Sequence, residues 1–185
     1  ICEVAGMFGE EDPSRDVAAW SGFAAWKHGF ESKRFAHFKL CAGAYSGDDP
    51  DTEDDEGWET PFGRWPLWSE LYIYSQIREG GIAQWSNLWF ANAELVLTPA
   101  EPLKLRLSYY RMMAMHSNEY AGSIFGDGTD RGDLFEVKAD FKLCKGLNGH
   151  AVYEYFVPGN YYLDDEPGHF LRFELTYQFS GLIPA

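Results

Sequence analysis

The sequence predicts an all-β chain: an antiparallel transmembrane β-barrel, or a fragment of about eight strands of a larger one. Three observations carry that expectation. The first is alternation: Phe135, Val137, Ala139, Phe141 and Leu143 interleave with Glu136, Lys138, Asp140 and Lys142, and Leu171, Phe173, Leu175, Tyr177 and Phe179 interleave with Arg172, Glu174, Thr176 and Gln178. Successive strand residues point to opposite faces, so each run makes one apolar and one polar face. Strands of soluble sheets usually end after about five or six residues, whereas about 9–11 are needed for a tilted strand to cross a bilayer. The second is aromatic content, 17% of 185 residues, with Trp and Tyr near predicted strand ends, where interfacial girdles form. The third is the lack of any apolar run of about eighteen residues, which removes a spanning helix. Mean hydropathy of −0.36 fits a barrel, because every second strand residue is polar.

In order along the chain, Ile1 to Phe8 reads as a strand end turned by Gly9-Glu10-Glu11-Asp12-Pro13. Asp16 to Lys27 follows, with Trp20, Phe23 and Trp26 among small residues. Gly29 to Ser32 is a short turn. Lys33 to Tyr45 places Phe38, Leu40, Ala42 and Ala44 on one face and His37, Lys39 and Cys41 on the other. From Ser46 the pattern breaks into a long acidic loop and then an aromatic, Pro-containing stretch that excludes a continuous regular element. Leu71 to Arg78 is a short strand or a helical turn. Asn87 to Leu97 and Leu103 to Met115 are strands joined by a turn at Thr98 to Pro102, and Ser117 to Asp130 is a Gly-rich loop. Asp133 to Leu143 and Leu147 to Val157 form a hairpin, Pro158 to Gly168 is a polar loop, and His169 to Phe179 is the last strand. In a barrel, short turns lie on the periplasmic side and long loops outside. Counting from either end agrees only if all of 46–82 lies on one side, so Leu71 to Arg78 is not a spanning strand. The expected organisation is one domain over 1–185 with a large extracellular insertion at 46–82, which folds into the lumen or narrows its entrance.

The net charge of −14 argues against nucleic acid as a partner. Cys2, Cys41 and Cys144 have no metal or redox spacing. The chain begins at Ile1 with neither an initiator Met nor a signal peptide, yet a barrel must be exported, so either a signal has been removed or, as expected here, the chain is the C-terminal part of a longer protein.

Candidate functional residues lie on the polar strand face. Lys39, Lys104, Arg106, Lys138, Asp140, Lys142, Glu154, Arg172 and Glu174 are the expected pore-lining set, since charge near a constriction sets selectivity. Their basic members could attract a polyanion, or opposite charges could pair across strands and satisfy a wet wall. In the loop, Trp58, Trp65 and Trp68, with Arg64 beside them, could stack on sugar rings or pack the loop onto the barrel rim. Asp48, Asp49 and Asp51 are a weak calcium candidate; they lack the Gly at six and Glu at twelve of an EF-hand loop, and a solvated acidic run is the simpler reading. No cofactor is implied. The serines lack a nucleophile elbow and the five histidines show no i, i+4 ligand pair, so no enzyme is expected.

Several segments together resemble the C-terminal part of the alginate-export family of outer-membrane porins. They are Glu3…Phe8-Gly9, Asp16-Val17-Ala18-Ala19-Trp20, Ser46-Gly47-Asp48-Asp49-Pro50, Arg131-Gly132-Asp133, Glu154-Tyr155-Phe156-Val157-Pro158-Gly159 and the closing Phe173-Glu174-Leu175-Thr176-Tyr177-Gln178-Phe179. The resemblance implies an eighteen-stranded barrel in the bacterial outer membrane and passive transport of an anionic polyuronate through a basic lumen. Its implied partners are membrane lipid, lipopolysaccharide and the saccharide solute. Tyr177-Gln178-Phe179 also looks like the signal read by the barrel assembly machinery, although Ser180 to Ala185 follow it here. The alternatives are a soluble β-sandwich carbohydrate-binding module and an outer-membrane barrel enzyme.

Overall fold

The structure is a computed structural model that describes residues 1–12, 15–59, 69–71, 86–118 and 124–179. The described residues form eight strands: β1 (Cys2–Asp12), β2 (Arg15–Gly29), β3 (Phe35–Tyr45), β4 (Leu88–Ala100), β5 (Leu103–Met113), β6 (Asp130–Cys144), β7 (Leu147–Pro158) and β8 (Gly168–Tyr177). They make one antiparallel sheet in which each strand pairs with the next along the chain. The tight connections 30–34, 101–102 and 145–146 therefore share one end of the sheet, and the connections that follow β3, β5 and β7 leave from the other. Gly146 makes the shortest connection possible: its φ of 83° is the left-handed region that glycine enters without strain, and its carbonyl accepts from the Gln178 N–H at 2.7 Å.

Strand identities agree with the alternation; some boundaries do not. The expected turn from Gly9 to Pro13 begins too early, because Gly9 and Glu10 remain extended opposite Val17 and Asp16 and β1 continues to Asp12. Backbone pairing of Glu10 with Asp16 and of Asp12 with Arg15 keeps the chain extended past the glycine. Thr98 to Ala100 likewise stay in β4, with a register shift between Leu97 and Ala100, leaving Glu101 and Pro102 as the turn. β3 pairs directly with β4 (Tyr45 opposite Leu88), and among the described residues no strand of the sheet arises between them. Of the Leu71 to Arg78 stretch only Leu71 is described; 72–78 lie outside the described residues.

The two faces differ sharply. One carries Leu40, Leu107, Tyr109, Phe135, Val137, Tyr153, Leu171, Phe173 and Leu175, all exposed, with Leu171 at 75% and Phe173 at 62%. Among the described residues nothing covers this apolar face. The opposite face carries the charged residues and the main buried cluster of Leu88, Phe90, Tyr110, Met112, Leu134 and Phe156, joined by the half-buried Phe23, Tyr45, Leu71 and Tyr162. The cluster lies toward the long-connection end, and the connections there lock onto one another. Asn87, whose φ of 52° an Asn tolerates, accepts from the N–H groups of Met115 and His116 and donates to the His116 carbonyl. Arg131 is fully buried; it donates to the Ser86 and Asn87 carbonyls and lies over the Tyr161 ring, 4.6 Å from its centroid. One side chain thus ties β6 to two different connections. Gly132 follows it at φ 113°, where a Cβ would collide with the Val157 carbonyl.

Candidate functional site

The pairing register sorts the charged face into rows running across the strands. Toward the tight-turn end, Lys104 stands opposite Asp140, Asp140 opposite His150 and His150 opposite Glu174. The next row holds His37, Val96, Arg106, Lys138, Val152 and Arg172. The third holds Lys27, Lys39, Glu94, Ser108, Glu136 and Glu154. Beyond it the face turns apolar through Tyr110, Leu134 and Phe156. Eight of the nine residues expected on the polar face fall in these rows, and Lys142, opposite Asn148, continues the same face toward the turn end.

Neither sequence-level account of these charges fits whole. Like charges stand directly opposite at Lys27 and Lys39, Arg106 and Lys138, and Glu136 and Glu154, a placement that costs stability. Relief comes from one row to the next: Glu94 takes His37 Nε2 and Arg106 Nε, each at 3.4 Å, and Lys138 Nζ lies 3.9 Å from Asp140. Lys27, Lys39 and Lys104 make no ion pair among the described residues. They line an open cavity of about 640 Å³ with His37, Glu94, Arg106, Tyr110 and Glu136. A second opening, about 540 Å³, lies toward the turn end against Lys104, Asp140, Lys142, Asn148, His150 and Thr176.

Glu154 and Arg172 sit differently from the rest of the expected set. Glu154 is 1% exposed, because residues 69–71 of the β3–β4 connection are seated on it. Its carboxylate accepts from Ser69 Oγ at 2.8 Å and from the N–H groups of Glu70 at 2.9 Å and Leu71 at 2.8 Å. Arg172 Nη1 pairs with Glu70, while its Nη2 lies 3.0 Å from His150 Nε2. The Leu71 side chain packs into the apolar cluster and beside Gly168. Both residues therefore hold the connection, Glu154 from a buried position and Arg172 from a partly exposed one.

At the long-connection end, the acidic run is occupied by its own turn. Asp48 Oδ1 accepts from the Glu56 N–H and Asp49 Oδ1 from that of Asp51, while Asp48 Oδ2 pairs with Arg15 at 2.8 Å. Among the described residues no group of three or more His, Cys, Asp or Glu is placed to hold a metal ion. Asp55 bridges to the free flank of β2 beyond the end of β3: its carbonyl accepts from Ala18 N–H and its N–H donates to the Asp16 carbonyl. Trp58 is buried, 8% exposed, with its N–H on the Ser46 carbonyl, so it packs the loop instead of offering an open stacking face. Arg64, Trp65 and Trp68 lie outside the described residues.

The exposed face has its own polar border. Arg111 pairs with Asp130 at 2.7 Å and with Asp133 at 3.0 Å, and Tyr109 donates to Asp133 at 2.6 Å. Beside them Tyr109, Phe135, Tyr155 and His169 form a row of rings with successive centroids 5.0, 6.3 and 4.9 Å apart.

Four residues escaped the sequence reading: Lys27, Ser69, Glu70 and Arg131. Lys27 sits in an Ala-rich strand whose facing small residues do not announce. Ser69 and Glu70 carry no periodic signal at all. Arg131 stood out only as part of Arg131-Gly132-Asp133, with no sign that it would be buried. No protein-family model matches the chain, and no curated protein matches it either.

Proposed function

We propose that the sheet is part of the wall of a transmembrane β-barrel in a bacterial outer membrane, and that the protein is a porin for passive diffusion of hydrophilic, anionic saccharides of the polyuronate kind. The observation that carries the reading is the uncovered apolar face, continuous over β2 to β8, set against a charged face that lines open cavities. A soluble sandwich would bury its apolar face under a second sheet and turn its charges to water; here the apolar strand face is exposed, and the buried cluster and seated connection lie on the charged face. Lipid on the outside and water on the inside accounts for both. The ring row with Arg111, Asp130 and Asp133 supports a head-group border at the long-connection end, where amphipathic aromatics favour the interface. Lys27, Lys39 and Lys104, without an ion pair among the described residues and collected in a chain of net charge −14, favour an anionic solute, as does the resemblance to alginate-export porins.

Planar-bilayer recording tests the proposal. Stepwise channels blocked by oligouronates support both porin and solute. Channels indifferent to uronates leave the porin and remove the solute class, and inserted protein that never conducts removes the porin.

A further inference from the structure

We propose that Glu154 and Arg172 are positioning residues that set the size limit for solutes by fixing residues 69–71 inside the lumen; the inference rests on reading the sheet as a pore wall. The seat is built across a distance. Residues 69–71 leave the sheet between β3 and β4, yet meet β7 and β8, three and four strands from β4, or about 14–19 Å at ordinary strand spacing. The contact is also specific. A buried carboxylate that accepts two consecutive backbone N–H groups and a hydroxyl has its lone pairs met in a fixed geometry, which charge-assisted hydrogen bonds favour. Arg172 holds the Glu70 side chain from the neighbouring strand, and Leu71 fills the apolar cluster beside Gly168.

Glu154 lies in the row adjoining that of Arg106, Lys138 and Arg172. The seated segment therefore stands where charged wall gives way to apolar wall, and it occupies cross-section that solute would otherwise use. Glu154 and Arg172 thus act on solutes indirectly, through the segment they hold, whereas Lys27, Lys39 and Lys104 face the open cavity.

The test uses Glu154→Ala, Glu154→Gln and the double variant Ser69→Cys/Glu154→Cys in the full protein. Glu154→Ala should raise single-channel conductance and admit larger neutral sugars in liposome swelling. Amide exchange at Glu70 and Leu71 should become about tenfold faster or more, as their shared acceptor is lost. Glu154→Gln, which keeps one acceptor oxygen, should fall between. The double-cysteine protein should conduct like wild type when oxidised and like Glu154→Ala when reduced, a reversible comparison within one folded molecule. Unchanged conductance and unchanged Glu70 and Leu71 exchange in Glu154→Ala would overturn the inference while leaving the porin intact. Faster exchange with unchanged conductance would also overturn it, since the seat would then hold the segment without limiting solutes. No conductance from wild type or any variant would instead remove the pore reading itself.

Discussion

The charged face contains two regions built on the same strands and the same alternation, yet opposite in character. Toward the tight turns it is open and ionic, with Lys104, Asp140, Lys142 and His150 around accessible space. Toward the long connections it is closed and apolar, with Leu88, Tyr110, Met112, Leu134 and Phe156 buried beneath chain that folds back from between β3 and β4 and between β7 and β8. Connection length separates them. A two-residue turn such as Lys145-Gly146 has nothing to fold inward, so side chains next to it must be wettable. A connection of tens of residues can cover apolar wall, provided its own backbone groups find partners. Glu154 and Arg131 supply those partners, Glu154 to N–H groups and Arg131 to carbonyls.

This contrast can be broken by substitution, and the largest effect belongs to the closed region. Leu134→Ala removes a fully buried side chain from the cluster and should cost about 2–5 kcal/mol, read as a fall in denaturant midpoint with unchanged slope. A loss under about 1 kcal/mol would mean that the cluster is loosely filled. Arg131→Ala comes next: it strips donors from the Ser86 and Asn87 carbonyls, and each buried group left unmet costs about 1–3 kcal/mol. The loss should appear as proteolysis within 86–87 or 159–162 before the strands are cut. The smallest stability effect belongs to the open region. Lys39→Ala and Lys104→Ala should lie within about 0.5 kcal/mol of wild type and shift the reversal potential toward cation preference. Equal destabilisation in both regions would abolish the distinction.

The same contrast marks what could be read from sequence. The face assignments of β3, β6 and β8 were legible because bulky apolar and charged residues alternate there without interruption. In β2 the facing positions are Ala and Gly, which tolerate either environment, and Lys27 went unassigned for that reason. Strand ends were misplaced where backbone pairing keeps the chain extended through acidic residues, as at Gly9 to Asp12. Strand parity required β3 to pair directly with β4, and it does; most of 60–82 lies outside the described residues. The seat of residues 69–71 on Glu154 was not legible, because that contact joins residues 83 to 85 positions apart and local pattern carries no record of it. Glu154 shares the charged face with Glu136, as alternation required, whereas its burial comes from a distant segment.

The most direct measurement of the central claim compares two neighbours in the middle of β6, Val137 and Lys138, each replaced singly by Cys in protein whose Cys2, Cys41 and Cys144 are changed to Ser, then labelled with a fluorophore and reconstituted into lipid vesicles. The account predicts that the label at 137 is quenched by a lipid-borne quencher and the label at 138 by a water-soluble one. Water-soluble quenching at both positions, or the reverse assignment, would contradict a wall with lipid on one face and an aqueous conduit on the other.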